Sequence, residues 1–169
     1  MTEDEHYFTA DPTVAFRREP VTASVWGVDL TLDSGSGVFA RGRLDGGTAV
    51  LFRETEAPSR GHVLDLGCGY GVIGLAAAVA APAVRVTAVD VNERALLLAR
   101  ENAAALGVAD RYRAELPEQV DPTTTYDEIW SNPPIRVGKQ ALHDLLQQGW
   151  PTTRLASAKG FRILETRRG

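Results

Sequence analysis

One stretch of the chain, Val63 to Gly74 with the sequence VLDLGCGYGVIG, constrains the fold more than any other. An apolar run breaks into glycines at alternate positions and continues as an alanine-rich run, which predicts a β-strand, a tight turn and a helix. Glycine lets a ligand approach the backbone more closely than a Cβ would allow. We therefore expect this turn to hold a ligand.

Length and composition place the chain among ordinary soluble domains. Its 169 residues are enough for one domain with a real core, and 44% apolar with 24% charged residues is unremarkable. The net charge of −4 does not indicate general nucleic-acid binding. The start MTEDEHYF lacks a signal pattern, no apolar run could span a bilayer, and one cysteine cannot form an internal disulfide. These features predict a cytoplasmic location.

Strand and helix patterns alternate along most of the chain, which predicts parallel strands with right-handed crossovers. We expect one domain over 1–169, with an arm, β-hairpin and short helix over 1–56 and an α/β core over 57–169. The predicted strands are 21–26, 30–32, the strand before the glycine turn, 85–91, 111–116, 126–131, 154–157 and 161–166. The predicted helices are 48–52, 75–81, 93–106 and 138–150. Other predicted features are an irregular arm over 1–20, a Gly27-Val28 hairpin turn, a 33–37 loop, an Asn92 helix cap and a Gly107 helix end.

Two acids near the glycine turn indicate the kind of ligand. The dinucleotide pattern G-x-G-x-x-G fails because Val72 occupies its third position. Asp65, at the end of the strand, would repel a pyrophosphate and attract an ammonium group. Asp90 ends the next strand about 20 residues later, where an acid can bind ribose hydroxyls. An adenosine with a cationic amino-acid tail fits both acids, and S-adenosylmethionine is such a ligand; the alternative is a turn that binds nothing.

A second motif, DEIWSNPPIRVGK over 127–139, carries Asn132 at the carboxyl end of a predicted strand. Ligands of open parallel sheets bind outside that edge, which Asp65 and Asp90 share. Two prolines remove N–H donors and leave carbonyls to face a ligand. An amide oxygen beside a carbonyl suits a planar nitrogen that bears hydrogens, such as an amide or the exocyclic amine of a base. Holding both hydrogens in plane would direct the nitrogen lone pair at a methyl group.

These motifs together resemble the class I S-adenosylmethionine-dependent methyltransferases of the small methyltransferase domain type. DLGCGYG and AVDVN are similar to the cofactor motifs of that family, and SNPPI to its amino-acceptor motif. The continuation IRVGK and the upstream GVFARGRLDGGTAVL resemble bacterial small-subunit ribosomal RNA guanine-N2 methyltransferases. Ile135 replaces the aromatic residue of the more general motif, which favours guanine over adenine or glutamine acceptors. The resemblance implies a Rossmann-like, doubly wound, mostly parallel sheet with an antiparallel C-terminal hairpin.

The resemblance also implies roles for individual residues. The implied cofactor residues are Asp65, Gly67, Cys68, Gly69, Gly71, Asp90, Val91, Glu115, Phe39 and Asp45. Among these, Asp65 would lie near the methionine end, Asp90 at the ribose and Glu115 near the adenine. Cys68 needs no role beyond packing, and Asp45 is equally well explained as a helix cap. The implied acceptor-site residues are Asn132, Pro133, Pro134 and Ile135.

Basic residues supply candidate phosphate contacts, although a solvated surface charge explains any single one more simply. The candidates are Arg136, Lys139, Arg41, Arg43, Arg17, Arg18 and Lys159. The three histidines are isolated in the sequence and predict no metal site.

The chain departs from the family pattern in one place. The family sheet has seven strands, and a fifth strand with its crossover needs at least a dozen residues that are missing between Pro134 and the final hairpin. We therefore expect the fifth strand to be absent. The final hairpin could then lie beside the fourth strand in a six-stranded sheet.

The functional hypothesis is methyl transfer to an exocyclic amine, with guanine N2 of ribosomal RNA as the favoured acceptor. The partner would be ribosomal RNA or the small ribosomal subunit, with no membrane, and a base inside a duplex would have to be flipped or already unpaired. Positioning and desolvation would carry most of the rate, without a strong base. Two alternatives remain open: methylation of a glutamine amide in a protein, and a remnant that binds cofactor or RNA without turnover.

Overall fold

The computed structural model describes residues 17–36 and 43–132, together with the backbone of 152–158 and 161–166. The strands are β1 Arg18–Val25, β2 Val28–Gly35, β3 Gly61–Leu66, β4 Val84–Val89, β5 Tyr112–Glu115, β6 Glu128–Ser131, β7 Thr152–Ala158 and β8 Phe161–Thr166. The helices are α1 Gly46–Glu54, α2 Val72–Ala80 and α3 Glu93–Ala105, and a single 3-10 turn spans Pro117–Gln119.

Four strands form a parallel sheet in the order β5-β4-β3-β6. The strand before the glycine turn, β3, pairs with β4 on one side and β6 on the other. Its central position explains its apolar sequence, since Val63 is fully buried between layers. The order confirms the predicted Rossmann-like, mostly parallel α/β fold with an N-terminal hairpin.

The C-terminal hairpin is confirmed, but it does not extend the described sheet. Strands β7 and β8 pair only with each other among the described strands, and their Cα atoms come within 8 Å of those of α1. The suggested six-stranded sheet is therefore wrong for the described strands, because the hairpin closes on itself. The predicted helix over 138–150 and the predicted loss of a fifth strand concern residues outside those described.

Helix α3 begins and ends where the sequence predicts, whereas α1 and α2 begin two and three residues before their predicted starts at 48 and 75. Asn92 Oδ1 accepts hydrogen bonds from the backbone N–H groups of Arg94 at 3.0 Å and Ala95 at 3.2 Å. At the other end of α3, Gly107 has a φ of +71°, as a helix-ending glycine does. The Asn92 cap and the Gly107 helix end are both confirmed.

The N-terminal hairpin belongs to the main core. Val21 in β1 and Leu30 in β2 are each 2% exposed and join the same buried cluster as Leu75 of α2. Asn102 of α3 ties the hairpin down, since its side chain exchanges two hydrogen bonds with the backbone of Asp33 at 2.8 and 2.9 Å. The hairpin therefore shares one hydrophobic core with the α/β layer.

The hairpin departs from prediction in its turn and in its length. The turn is Trp26-Gly27, not Gly27-Val28, and both residues have positive φ, +49° and +77°. Two positive φ values match the right-handed twist of a two-residue hairpin. The Trp26 ring packs against Phe52 and Trp130. Strand β1 begins at Arg18, inside the predicted arm, and β2 runs on to Gly35, inside the predicted loop, because the two segments pair with each other.

No helix in the part of the chain that the structure describes is long and apolar enough to cross a membrane.

Candidate active site

The parallel sheet gathers the predicted site residues along one edge. Leu66, Val89, Glu115 and Ser131 lie side by side in register at the carboxyl ends of the four strands. Asp65 lies one residue before this row, and Asp90 and Asn132 each follow it by one residue. The two acids and the asparagine, far apart in the sequence, therefore meet at the edge where open parallel sheets bind ligands.

The glycine turn after β3 is held by the end of β4. The backbone N–H groups of Gly67 and Cys68 both donate to Val89 O, at 2.8 and 3.0 Å, and Gly69 N donates to Asp90 Oδ2 at 2.9 Å. The other carboxylate oxygen of Asp90 accepts from Asn92 N at 2.9 Å. Asp90 thus supports both the turn and the start of α3. Its ribose-binding role stays a prediction.

Gly71 shows that the turn needs glycine for the protein's own packing as well. Its φ is +99°, and a Cβ built there would lie 2.6 Å from Tyr112 Oη and 2.9 Å from Leu75 Cδ1. A larger residue would strain the backbone at this φ and force the side chains of Tyr112 and Leu75 to shift. Glycine at this position is therefore required by packing inside the protein, in addition to the close approach of a ligand that the sequence predicts.

Asp65 is a fully buried carboxyl with one unused oxygen. Oδ2 accepts from Gly74 N at the start of α2 at 2.9 Å, while Oδ1 has no partner among the described residues. Burial raises the pKa of Asp65 to about 7, the Gly74 N–H opposes the rise, and the charge of Asp90 adds to it. A cation near Oδ1 would offset the cost of ionisation. The group is suited to a positively charged ligand atom.

Two predicted cofactor residues at the strand ends differ in exposure. Val91, after Asp90, is 45% exposed although it is apolar, and Glu115 at the end of β5 is half-buried.

Cys68 is buried, and burial raises the pKa of its thiol well above the usual value. The thiol stays protonated, in line with packing as its function.

The acceptor motif meets the first turn of α1 through Asn132. Asn132 Nδ2 lies 2.7 Å from Asp45 Oδ2 and 2.8 Å from Thr48 Oγ1. Asp45 also caps α1, since the same Oδ2 accepts from Thr48 N at 3.1 Å. Asp45 is therefore a helix cap and a partner of Asn132 at once.

The charge of Asp45 influences Tyr70 in the glycine turn. Burial, with a contribution from the charge of Asp45, raises the pKa of Tyr70 to about 12. Tyr70 O also accepts from Asn102 Nδ2 at 3.0 Å, so α3 holds this part of the turn. Sequence reasoning missed Thr48 and Tyr70. The D-x-x-T spacing of a capped helix was the signal for Thr48, and no local pattern indicates Tyr70.

Aromatic packing fixes the acceptor strand against α1 and the hairpin. The Trp26 ring lies edge-on to Phe52 of α1, with centroids 4.7 Å apart, and to Trp130 of β6, with centroids 5.3 Å apart. Trp26 Nε1 donates to Thr55 O at 3.0 Å. Ser131 Oγ donates to Leu66 O at 2.8 Å and holds the end of β6 beside the end of β3. These contacts set the position from which Asn132 projects.

Several predicted site residues lie outside the described part of the chain. They are Phe39, Arg41, Pro133, Pro134, Ile135, Arg136, Lys139 and Lys159. Among the described basic candidates, Arg17 and Arg43 are exposed. Arg18 instead forms ion pairs with Glu101 at 2.7 Å and Asp33 at 3.5 Å. It links β1 to α3, which makes a structural role the simpler explanation for that arginine.

The fold and the arrangement at its edge define a class of methyl-transferring proteins, and comparison identifies the family. The model of the methyltransferase small domain family matches residues 29–157. The chain belongs to this family.

Relatives of known sequence agree with the family. The chain is 37% identical over 147 residues to the uncharacterized protein YbxB of Bacillus subtilis, covering 85% of this chain and 73% of that protein. It is 39% identical over 113 residues to the ribosomal RNA small subunit methyltransferase C of Klebsiella pneumoniae. That match covers 66% of this chain and 32% of the enzyme, so the chain spans about a third of the length of this relative.

Two solved structures show the same fold, one with AdoMet and the other with its demethylated product bound. The T. thermophilus 16S rRNA N2 methyltransferase RsmC, in complex with AdoMet and guanosine, has a TM-score of 0.63 and 25% identity over 76% of this chain and 35% of its own. An RNA methyltransferase from Salinibacter ruber in complex with S-adenosyl-L-homocysteine has a TM-score of 0.51 and 23% identity over 62% of this chain and 71% of its own, which shows the fold alone. The predicted cofactor, S-adenosyl-L-methionine, is confirmed as that of the family.

Proposed function

We propose that the chain is an S-adenosylmethionine-dependent methyltransferase whose acceptor is an exocyclic amine, guanine N2 of ribosomal RNA. The observation that carries the proposal is the state of Asn132 at the carboxyl edge of the sheet. Both hydrogens of its amide nitrogen face acceptors within the protein, at 2.7 and 2.8 Å. The polar atom that remains is Oδ1, which can only accept a hydrogen bond. The substrate group must therefore donate one, as an amine does.

The residues around the glycine turn fit the cofactor. Asp65 offers a buried oxygen without a described partner to the ammonium group. Asp90, at the end of β4, is proposed to lie at the ribose, and the exposed apolar Val91 and the half-buried Glu115 flank the place proposed for the adenine. When bound, S-adenosylmethionine supplies a methyl group on a positively charged sulfur.

The chain's own residues then bind and orient the acceptor. Asn132 Oδ1 would accept an N–H of the amine and turn the nitrogen lone pair towards the methyl group. As the nitrogen–carbon bond forms, the electrons of the sulfur–carbon bond return to sulfur. The methylated amine loses a proton to solvent, so no strong base is required. Positioning and desolvation would supply most of the rate enhancement.

The names of the relatives support RNA as the substrate. Similarity to a ribosomal RNA small subunit methyltransferase and to a structure that holds guanosine favours guanine over a protein amide. A ribosomal substrate agrees with the cytoplasmic location predicted from the sequence. The whole-protein activity of those relatives is proposed here for a chain that spans only part of their length.

Methyl transfer from tritiated S-adenosylmethionine tests the proposal. The substrates are small-subunit ribosomal RNA transcribed in vitro, assembled small subunits lacking the modification, and a glutamine-containing protein extract. We expect label in RNA, released on digestion as N2-methylguanosine. Asn132→Ala should lower kcat at least a hundredfold, while Glu128→Gln, an exposed change in the same strand, should leave it unchanged.

Each other outcome has a definite meaning. Label in protein would replace the RNA proposal with the amide alternative. Cofactor binding by calorimetry without transfer to any substrate would support the non-catalytic remnant. Transfer that survives Asn132→Ala at the wild-type rate would refute the acceptor assignment.

A further inference from the structure

The amide nitrogen of Asn132 lies between two acceptors from the start of α1. One is Asp45 Oδ2 at 2.7 Å, and the other is Thr48 Oγ1 at 2.8 Å. A carboxylate can only accept, so the NH₂ end of Asn132 has to face Asp45, and the reverse orientation would set two oxygens against each other. Its hydrogens are then fully used. Oδ1 receives no hydrogen bond from the described residues.

We propose that Asp45 and Thr48 are positioning residues that lock the orientation of the Asn132 carboxamide and thereby restrict the site to hydrogen-bond donors as acceptor groups. The inference rests on the proposed function, because it assigns Asn132 to the substrate. Asp45 and Thr48 act through Asn132 and do not themselves contact the substrate amine. The sequence alone predicts a cofactor residue or a plain helix cap at Asp45.

The position of Asp45 Oδ2 is itself fixed by the helix. That oxygen accepts from Thr48 N at 3.1 Å as the α1 cap, so the cap and the link to Asn132 share one atom. Thr48 is 4% exposed, and its hydroxyl has little freedom to move away. A hydrogen bond to a charged carboxylate is about twice as strong as a neutral one. The start of α1 therefore forms a rigid cradle for the amide.

The lack of a side chain at Gly47 completes the cradle. A Cβ built on Gly47 would lie 2.8 Å from Asn132 Oδ1, 3.1 Å from its Nδ2 and 3.0 Å from Asp45 Oδ2. The carboxamide thus packs directly on the helix backbone. This contact is independent of the hydrogen bonds, and it also places Asn132 beside Asp45.

Variants that separate the cap from the link test the proposal. Serine caps helices about as well as aspartate but is too short to reach Asn132, whereas asparagine keeps both the cap and the reach. Asp45→Ser should lower kcat about ten- to hundredfold, with the KM for S-adenosylmethionine within about twofold of wild type and the Tm nearly unchanged. Asp45→Asn should restore kcat to within a few-fold.

The threonine offers a second matched pair. Thr48→Val removes the hydroxyl at constant shape and should lower kcat, and Thr48→Ser keeps the hydroxyl and should not. Because both residues act through one amide, the double variant Asp45→Ser/Thr48→Val should lose less than the product of the two single losses. Independent, multiplicative losses would overturn the shared mechanism.

A spectroscopic measurement makes the result independent of activity. The ¹⁵N side-chain signals of Asn132, assigned by their disappearance in Asn132→Asp, report its hydrogen bonds in the protein alone. We expect the amide proton that faces Asp45 to move upfield in Asp45→Ser and to move clearly less in Asp45→Asn, which keeps a neutral acceptor. Unchanged amide signals or unchanged kcat in Asp45→Ser would overturn the proposal.

The failure of the proposed function is distinguishable from the failure of this inference. If the wild-type protein methylates no RNA, the proposed function falls, and the amide signals alone decide whether Asp45 orients Asn132. If the wild-type protein is active and Asp45→Ser is equally active, the proposed function stands and the positioning role falls.

Discussion

Asp65 illustrates how one residue can link stability, pH and ligand binding. Its carboxyl is 1% exposed, and burial raises its pKa to about 7 from the ordinary 3.8. The folded protein therefore holds the proton more tightly than the unfolded chain does. The associated stability is fully present below about pH 4 and is lost as the pH rises to about 7, by up to about 1.4 kcal/mol per pH unit.

We predict that Asp65→Asn flattens this pH dependence. Asparagine keeps an acceptor for Gly74 N but cannot ionise, so the free energy of unfolding should change much less between pH 4 and 7 than in the wild type. Urea unfolding of the ligand-free protein at several pH values measures the slope. Equal slopes in the two proteins would refute the assigned pKa.

Cofactor affinity should show the opposite trend in the wild-type protein. An ammonium group favours the ionised form of Asp65, so affinity for S-adenosylmethionine should rise as the pH approaches about 7 and level off above it. In Asp65→Asn the affinity should be weaker and should not rise with pH. Calorimetric titration across the same range measures both.

At the scale of elements, α1 combines the requirements of a helix with those of the site. Asp45 is a good cap and Gly47 a poor helix former, and the two lie within one turn. Gly47 is required where the Asn132 amide packs on the helix. The helix therefore gives up some intrinsic stability for close approach.

We predict that Gly47→Ala separates stability from activity. Alanine favours the helix by about 1 kcal/mol, but its Cβ would displace Asn132 Oδ1, which would lie only 2.8 Å away. The Tm should stay at or near the wild-type value, while kcat should fall at least tenfold. Ala49→Gly, at an exposed position of the same helix, should lower the Tm and leave kcat intact. Wild-type activity in Gly47→Ala would contradict the packing argument.

The sequence predicts an element well where capping or helix-ending residues mark its bounds. Where the structure differs from the prediction, the cause is a tertiary contact. Asn92, Glu93 and Gly107 bound α3 as expected because capping and helix ending depend on local backbone geometry. The hairpin turn shifted by one residue because Trp26 is held by Phe52 and Trp130, which no local rule anticipates. Positive φ at a tryptophan is uncommon. A prediction that places glycine first in the turn therefore gives Gly27-Val28, whereas the turn is Trp26-Gly27.

At the scale of the whole molecule, Asn102 joins three parts of the structure. Its side chain binds Asp33 of β2 through both backbone groups and also donates to Tyr70 O in the glycine turn. It is 4% exposed, so water cannot replace these partners. The hairpin, α3 and the cofactor turn should therefore unfold together as one domain.

We predict that Asn102→Ala lowers the free energy of unfolding by about 2–4 kcal/mol, because it leaves the buried carbonyl of Tyr70 and the partly buried backbone groups of Asp33 without partners. The neighbouring Glu101→Ala, which removes only an exposed ion pair with Arg18, should change stability little. Tryptophan fluorescence and far-ultraviolet circular dichroism should report one coincident transition in the wild type. Two separate transitions would show that the hairpin is an independent unit.

Within the described residues, the sequence by itself determined the order of strands and helices, the glycine turn and the two acids and asparagine at the ends of strands. These features depend on local periodicity and on the rule that parallel strands end at one edge, so a single sequence is sufficient to infer them. Only the tertiary structure decided that Asp45 and Thr48 hold the amide of Asn132 and that Asn102 anchors the hairpin. Asp45 and Thr48 lie 87 and 84 positions before Asn132 in the sequence, and they meet it because α1 packs at the edge of the sheet. No local sequence pattern encodes a contact between residues so far apart.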